Sequence, residues 1–239
     1  FTLRMINGYI LFINKTKSFG YDVYFTEEGA IFHDLIFGDD FERFVIKQFP
    51  SGNALRDIYL VKYISKYFIV KRDREVDGRL EKRVQNFFYR SANLRLMRYL
   101  NKGRDWLLNY TPNIYFIAEK RRFRQCIDSY AVFEYIDGAS IGEINHSNID
   151  QVSSCISALH KGGLSSNDIH AGNFIVSNEG QLKVIDLSFK GSLALCKAND
   201  MLILENKYQV PATRKTFYYH LVKIRNNLRS LSRRVRGRV

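Results

Sequence analysis

Three side chains in the second half of the chain have the types and spacing for phosphoryl transfer from a nucleotide. They are Asp168, Asn173 five residues later, and Asp186 thirteen residues after that. That chemistry needs a carboxylate to receive or orient the acceptor hydroxyl, and an amide oxygen with a second carboxylate to hold Mg²⁺ against the phosphates. Asp-x4-Asn alone arises by chance in many chains, where both residues serve as turn formers. Here it runs into an apolar strand, Phe174-Ile175-Val176, a turn at Asn178-Glu179-Gly180, and a second strand, Leu182-Lys183-Val184-Ile185, which carries Asp186 at its end. A loop followed by a hairpin sets all three groups on one rim, and a lysine on an earlier strand makes the signal specific.

The elements needed to hold that rim are legible around it. Arg56 to Ile64 and Tyr67 to Lys71 read as two strands joined by a tight turn at Ser65-Lys66. Residues 78–102 read as a helix with Leu94, Met97 and Leu100 on one face and Gly103 as its stop. Ile114 to Ile117 and Tyr130 to Tyr135 read as strands, the second ended by Asp137-Gly138. Ile149 to His160 reads as a helix whose buried face holds Ile149, Val152, Ile156 and Leu159. From Ala198 onward the chain reads as helical, with a break at Pro211. Strands with one helix come first, and helices with a small hairpin follow. The expected class is α+β, with two lobes meeting near residues 134–138.

With these residues in place the chain resembles the protein-kinase-like superfamily, whose catalytic loop is H-x-D-x-x-x-x-N and whose metal loop is D-F-G. Asp168, Asn173 and Asp186 match the three invariant positions, with Ser166 where the loop usually has His and Ser188 in place of the metal-loop Gly. The form Asp168-x-His170-x-Gly172-Asn173 is similar to small-molecule phosphotransferases such as choline and aminoglycoside kinases. His170 is therefore carried as a catalytic candidate, with loop bracing as the alternative role. The resemblance implies a small β-rich N-lobe over about residues 21–134 and a helical C-lobe over about 138–239, preceded by an N-terminal extension, 1–20. It also implies ATP and Mg²⁺ as cofactors. Lys71 becomes the lysine that pairs with the α/β phosphates, with Lys62 and Lys66 as competitors. Pro50-Ser51-Gly52-Asn53 becomes the turn covering the nucleotide, although no G-x-G-x-x-G is present. Glu134 and Tyr135 become the hinge whose backbone holds adenine. The acidic helical partner of Lys71 falls on Asn93 in one register, with Glu81 as the alternative.

A closer resemblance is to the bacterial lipopolysaccharide core heptose kinases, in particular the heptose(II) kinase family. It covers about residues 22–236. It rests on Phe133-Glu134-Tyr135-Ile136-Asp137-Gly138, the Asp168–Ile175 phrase, Ile185-Asp186-Leu187-Ser188, and Lys197-Ala198-x-Asp200 followed by Leu204-Glu205-x-x-Tyr208. It implies a cytoplasmic enzyme, peripheral at the inner-membrane face, that transfers phosphate from ATP to a heptose of the lipid-A-linked core oligosaccharide. It also implies that Asp200 braces the catalytic loop.

Composition agrees with an ordinary globular chain: 239 residues, 46% apolar and 26% charged. The unusual number is the net charge of +13, which points to an anionic partner: nucleic acid, a membrane surface or a phosphorylated substrate. No nucleic-acid-binding signature accompanies it, so nucleic acid is not expected. Cys126, Cys155 and Cys196 lack metal or disulfide spacing and read as three buried thiols. No run of 18 apolar residues occurs, so no membrane span is expected. From Lys223 to Val239 there are seven Lys/Arg and no acid, with Leu221, Ile224, Leu228, Leu231 and Val235 at helical spacing. Such a helix suits either an anionic membrane surface or docking on the protein. Lys120-Arg121-Arg122-x-Arg124 forms a second basic cluster. Two other functions remain open: a different small-molecule or protein kinase of this fold, and a non-catalytic basic binding module.

Overall fold

Aromatic and β-branched runs between residues 14 and 134 pair into one antiparallel sheet of seven strands. A computed structural model of the protein describes residues 5–6, 9–10, 13–74, 90–123, 125–187, 192–212 and 214–235. Two short strands, β1 (Met5–Ile6) and β2 (Tyr9–Ile10), pair with each other. Then come β3 (Asn14–Ser18), β4 (Tyr21–Phe25), α1 (Phe32–Phe37), α2 (Phe41–Phe44), β5 (Val45–Phe49), β6 (Arg56–Tyr63) and β7 (Lys66–Asp73). They are followed by α3 (Ala92–Leu100), β8 (Ile114–Arg122) and β9 (Gln125–Glu134). The strand order across the large sheet is β3-β4-β8-β9-β7-β6-β5.

This sheet is covered on both faces. Phe32, Leu35 and Ile36 of α1 cluster with Val23, Val61, Phe68, Val70, Phe116, Ala118 and Val132 on one face. The Phe32 ring meets Phe68 edge-on at 4.7 Å between centroids. On α3, Leu94, Met97 and Leu100 are all buried, as their spacing predicts, and the helix lies against β8. Ser91 caps α3 by accepting the Leu94 N–H. Burial on both faces explains why the middles of β8 and β9 read as continuous apolar runs rather than alternating ones.

Three local expectations are corrected here. Tyr63 pairs with Lys66, so the two-residue loop between β6 and β7 is Ile64-Ser65, not Ser65-Lys66. Both loop residues have positive φ, 46° and 64°, the backbone twist that lets a two-residue hairpin match its strands. No Asn-Gly pair announces it, because the flanking ladder imposes the turn on an unfavourable β-branched residue. The sheet also begins earlier than residue 21, since Asn14–Ser18 forms its edge strand. Of the cysteines, Cys155 and Cys196 are buried, whereas Cys126 is only half-buried.

The described residues fall into two compact units. One is Phe1–Leu108 with Pro112–Ile136, and the other is Asn109–Thr111 with Asp137–Val239. In the second unit lie β10 (Gly138–Ser140), α4 (Ile149–Lys161), β11 (Phe174–Ser177), β12 (Leu182–Val184), α5 (Leu193–Tyr208) and α6 (Phe217–Val235). Strands β10, β11 and β12 form a small antiparallel sheet in that order. Gly138 therefore opens a strand instead of merely ending one. A Cβ there would sit 2.1 Å from the Val176 carbonyl oxygen, so the close approach of β10 to β11 requires glycine. The first of the last two helices ends at Tyr208 and the second starts at Phe217, and α5 starts at Leu193, five residues before the expected Ala198.

Candidate active site

The loop from Ser165 to Asn173 is held mainly by one side chain of α5. Asp200, on α5 and fully buried, accepts four hydrogen bonds. Its Oδ1 takes the Asn167 N–H at 2.6 Å. Its Oδ2 takes the Ser166 N–H at 3.1 Å, the Ser165 hydroxyl at 2.8 Å and His160 Nε2 at 2.9 Å. A carboxylate is acceptor-only, so the contact makes Nε2 the protonated nitrogen of His160. Asp200 sits in the middle of α5, away from the helix start, so the loop contacts and not the helix dipole account for it. Asn167 adopts φ 59°, a left-handed conformation that asparagine tolerates well, and Asn199 Nδ2 donates to its carbonyl at 3.3 Å. Sequence reasoning found Asp200 but missed His160 and Ser165. The only signal for His160 was its position in the last turn of a helix, just before Gly162-Gly163.

Above this brace the loop delivers Asp168. Ile169 is buried at 3% exposure and anchors the segment, while the Asp168 side chain is 73% exposed. Ser166 donates its hydroxyl to the Asp168 carbonyl at 3.2 Å, so the serine that stands where the resemblance leads one to expect histidine is a bracing residue. Asn173 is buried at 7% exposure, and its Nδ2 donates to the same carbonyl at 2.9 Å. That bond uses the amide nitrogen and leaves the amide oxygen as the acceptor of the group. The Asn173 carbonyl in turn accepts the Ile185 N–H at 3.0 Å, which ties the exposed Asp186 to the same frame. Asp168, Asn173 and Asp186 thus belong to one hydrogen-bonded substructure. His170 Nε2 lies 3.7 Å from Asp168 Oδ2, an ion-pair distance beyond hydrogen-bond range, with the ring half-exposed.

The remaining candidates lie in the first unit. Lys71 is on β7, paired with Ala131 on β9, and its Nζ sits 4.8 Å over the Phe133 ring. Lys71, Ala131 and Phe133 share the sheet face opposite Phe68 and Val70. Lys66 and Lys62 are exposed, Lys62 with its Nζ over the Tyr67 ring. Glu134 ends β9: its N–H donates to the Asn113 carbonyl, and its Oε2 accepts the Asn113 N–H at 3.0 Å. The Glu134 N–H is thereby used within the protein. Tyr135 and Ile136 follow the end of β9, and Ile136 is buried. Tyr135 packs its ring 5.8 Å from Tyr67.

Gly52 lies in the loop between β5 and β6. The loop is shaped by the Asn53 N–H bonded to Ser51 Oγ and the Leu55 N–H bonded to Asn53 Oδ1. No atom lies within 4 Å of a Cβ built on Gly52, so nothing in the protein itself requires glycine there. A cavity of about 400 Å³ is lined by residues of this turn and its strands, among them Phe49, Ser51, Asn53 and Arg56. Asn93 is half-buried on α3, while Glu81 and Ser188 lie outside the described residues. Among the described residues no group of three or more His, Cys, Asp and Glu side chains forms a ready-made metal centre.

A model of the family described as lipopolysaccharide core biosynthesis protein (WaaY) matches residues 12–238. The chain is similar to the lipopolysaccharide core heptose(II) kinase WaaY of Escherichia coli strain K12, with 33% identity over 147 residues. That match spans 60% of this chain and 63% of the relative, under two thirds of the relative's length. A second protein of the same description from Escherichia coli is 28% identical over 188 residues, 77% of this chain and 79% of its own length.

Proposed function

The chain belongs to the lipopolysaccharide core biosynthesis protein (WaaY) family, and from that premise we propose that it is an ATP-dependent kinase that phosphorylates a heptose of the lipopolysaccharide inner core. The observation that carries the reading is the single hydrogen-bonded frame joining Asp168, Asn173 and Asp186. A protein-kinase-like architecture of two lobes is part of the proposal. It is supported by the run β5-β6-β7-β9-β8, by the lysine on the central strand β7, and by the loop and hairpin of the second unit. The two E. coli relatives named as heptose(II) kinases support the choice of acceptor. Since ATP is a cytoplasmic nucleotide, the reaction is assigned to the cytoplasmic side of the inner membrane, with lipid-A-linked core oligosaccharide as acceptor.

The residues have distinct roles in this reading. Asp168, exposed and held by the backbone of its loop, orients the heptose hydroxyl and takes its proton as the oxygen attacks the γ-phosphorus and the bond to the β-phosphate oxygen breaks. His170, close to Asp168 Oδ2, biases that carboxylate toward one orientation. Lys71 pairs with the α/β phosphates, and the open backbone around Gly52 covers them. Backbone groups of the Glu134-Tyr135 segment hold adenine. Asn173, whose amide nitrogen is used by the loop and whose oxygen is an acceptor, and Asp186, which is exposed, suit Mg²⁺, which commonly takes one or two protein oxygens and completes its shell from phosphates and water. Bound there, Mg²⁺ would neutralise charge on the transferring phosphate.

The test is transfer from ATP labelled at the γ-phosphate to core oligosaccharide lacking the heptose phosphate, read by mass spectrometry. A gain of one phosphate, about 80 Da, on a heptose is expected from the chain and not from Asp168→Ala. Label appearing on a small alcohol or a protein, with the core untouched, would reject the heptose assignment.

A further inference from the structure

The last helix, α6, carries two apolar faces, and only one of them is used inside the protein. Tyr219 and Val222 are each 1% exposed and pack with Ala198 and Leu202 of α5. The Tyr219 hydroxyl donates to Glu205, whose other oxygen takes Lys215 Nζ at 2.8 Å, so this docked face is pinned at its start. The other face holds Phe217, Leu221, Ile224, Leu228 and Leu231, with exposures of 71, 41, 56, 61 and 55%. At about 100° per residue these five side chains fall within an arc of roughly 80°, centred nearly opposite the docked face. The apolar stripe legible in the sequence is therefore not the face that docks. From Asn227 to Ser232 every residue is exposed.

We infer that α6 lies on an anionic lipid surface, with this stripe sunk into the boundary between headgroups and acyl chains. The charges decide the occupant. Arg225 and Arg229 flank the stripe on one side and Lys223 and Arg234 on the other, each roughly 80–120° from its centre, where long basic side chains reach headgroup phosphates while the apolar residues face the chains. No acidic residue follows Glu205 in the chain. The same helix of a second copy, laid on this one, would bring two such basic margins together and offers no opposite charge. No described helix is long and apolar enough to cross a membrane, so α6 binds along the surface. The inference stands apart from the catalytic reading, because α6 carries none of the proposed site residues.

The test uses the full chain and vesicles of phosphatidylcholine with or without about 30% phosphatidylglycerol. The parent protein should sediment with the anionic vesicles and much less with the neutral ones. Arg225→Gln, Arg229→Gln and Arg234→Gln together should weaken binding on the order of 100-fold, at roughly fivefold per basic residue. The effect should shrink at high salt. Ile224→Ser, Leu228→Ser and Leu231→Ser together should also abolish sedimentation while leaving the melting temperature unchanged, since all three are exposed. Leu228→Trp should show a blue-shifted emission on anionic vesicles, reporting entry into the apolar layer. Failure of the parent to bind anionic vesicles, no blue shift, or a dimer in sedimentation velocity that the serine substitutions dissociate would each overturn the inference.

Discussion

Replacing Asp200 by asparagine changes one heavy atom and tests how the Ser165–Asn173 loop is held. The amide has nearly the shape of the carboxylate, but only one of its two ends can accept. With its oxygen at the Oδ2 position it still takes the Ser166 N–H, and its NH₂ then confronts the Asn167 N–H. With the oxygen at Oδ1 the conflict moves to Ser166. Ser165 can rotate its hydroxyl and His160 can change tautomer, but a backbone N–H can do neither. One buried backbone donor is left unpaired in either orientation, at a cost of about 1–3 kcal/mol, and the surviving bonds lose charge assistance worth about 1 kcal/mol each. With the oxygen at Oδ2 three bonds survive, so the total is about 4–6 kcal/mol, a large part of the roughly 5–15 kcal/mol that holds a typical domain folded. Urea and thermal unfolding should both report it, the latter as a fall of about 10 °C. Turnover should fall by about 100-fold or more through displacement of Asp168, while the KM for ATP changes little. Ser165→Ala should cost less in the Asp200→Asn background than in the parent, because the bond it removes there has already lost its charged acceptor. An asparagine variant within about 1 kcal/mol of parent stability, with parental turnover, would refute the argument that Asp200 holds the loop.

Further outcomes follow from the same geometry. Asp168→Ala should reduce phosphoryl transfer by about 10²–10⁴-fold with an unchanged melting temperature, because the side chain is 73% exposed and contributes no packing. Asp186→Asn should weaken nucleotide binding only when Mg²⁺ is present, and calorimetry that finds equal affinity for both proteins would remove Asp186 from the metal. Glu119→Ala should destabilise by about 3 kcal/mol or more in chemical denaturation, since this fully buried carboxylate receives the Ser91 N–H and faces Arg90 and Arg121. Burial pushes the Cys155 thiol up to about 12, and that of Cys126 as far. Both should therefore stay protonated, and slow to react with iodoacetamide, from pH 7 to pH 9 in the folded protein, and should react after denaturation.

The candidate trio was legible in the sequence because its spacing is local. Asp168, Asn173 and Asp186 are separated by one short loop and one hairpin, and strand and turn propensities fix such segments without help from the rest of the chain. The same holds for α3 and α4, whose apolar periodicity sets the buried face directly. Elements that owe their form to distant partners escaped the reading. The Ile64-Ser65 turn defies local preference and exists because the ladder from Tyr63 to Arg56 demands it. Residues 14–18 look polar and unstructured in sequence, yet they pair along β4 as an edge strand. His160 and Ser165 meet Asp200 across 40 and 35 positions of chain, a convergence that no spacing rule records. The C-terminal helix shows the division most clearly. Its sequence determined that one apolar stripe and a basic surround would share a helix, while the docking of Tyr219 and Val222 on α5 decided that the stripe faces outward. Periodicity counts the faces of a helix, but only packing against a neighbour selects which of them is buried.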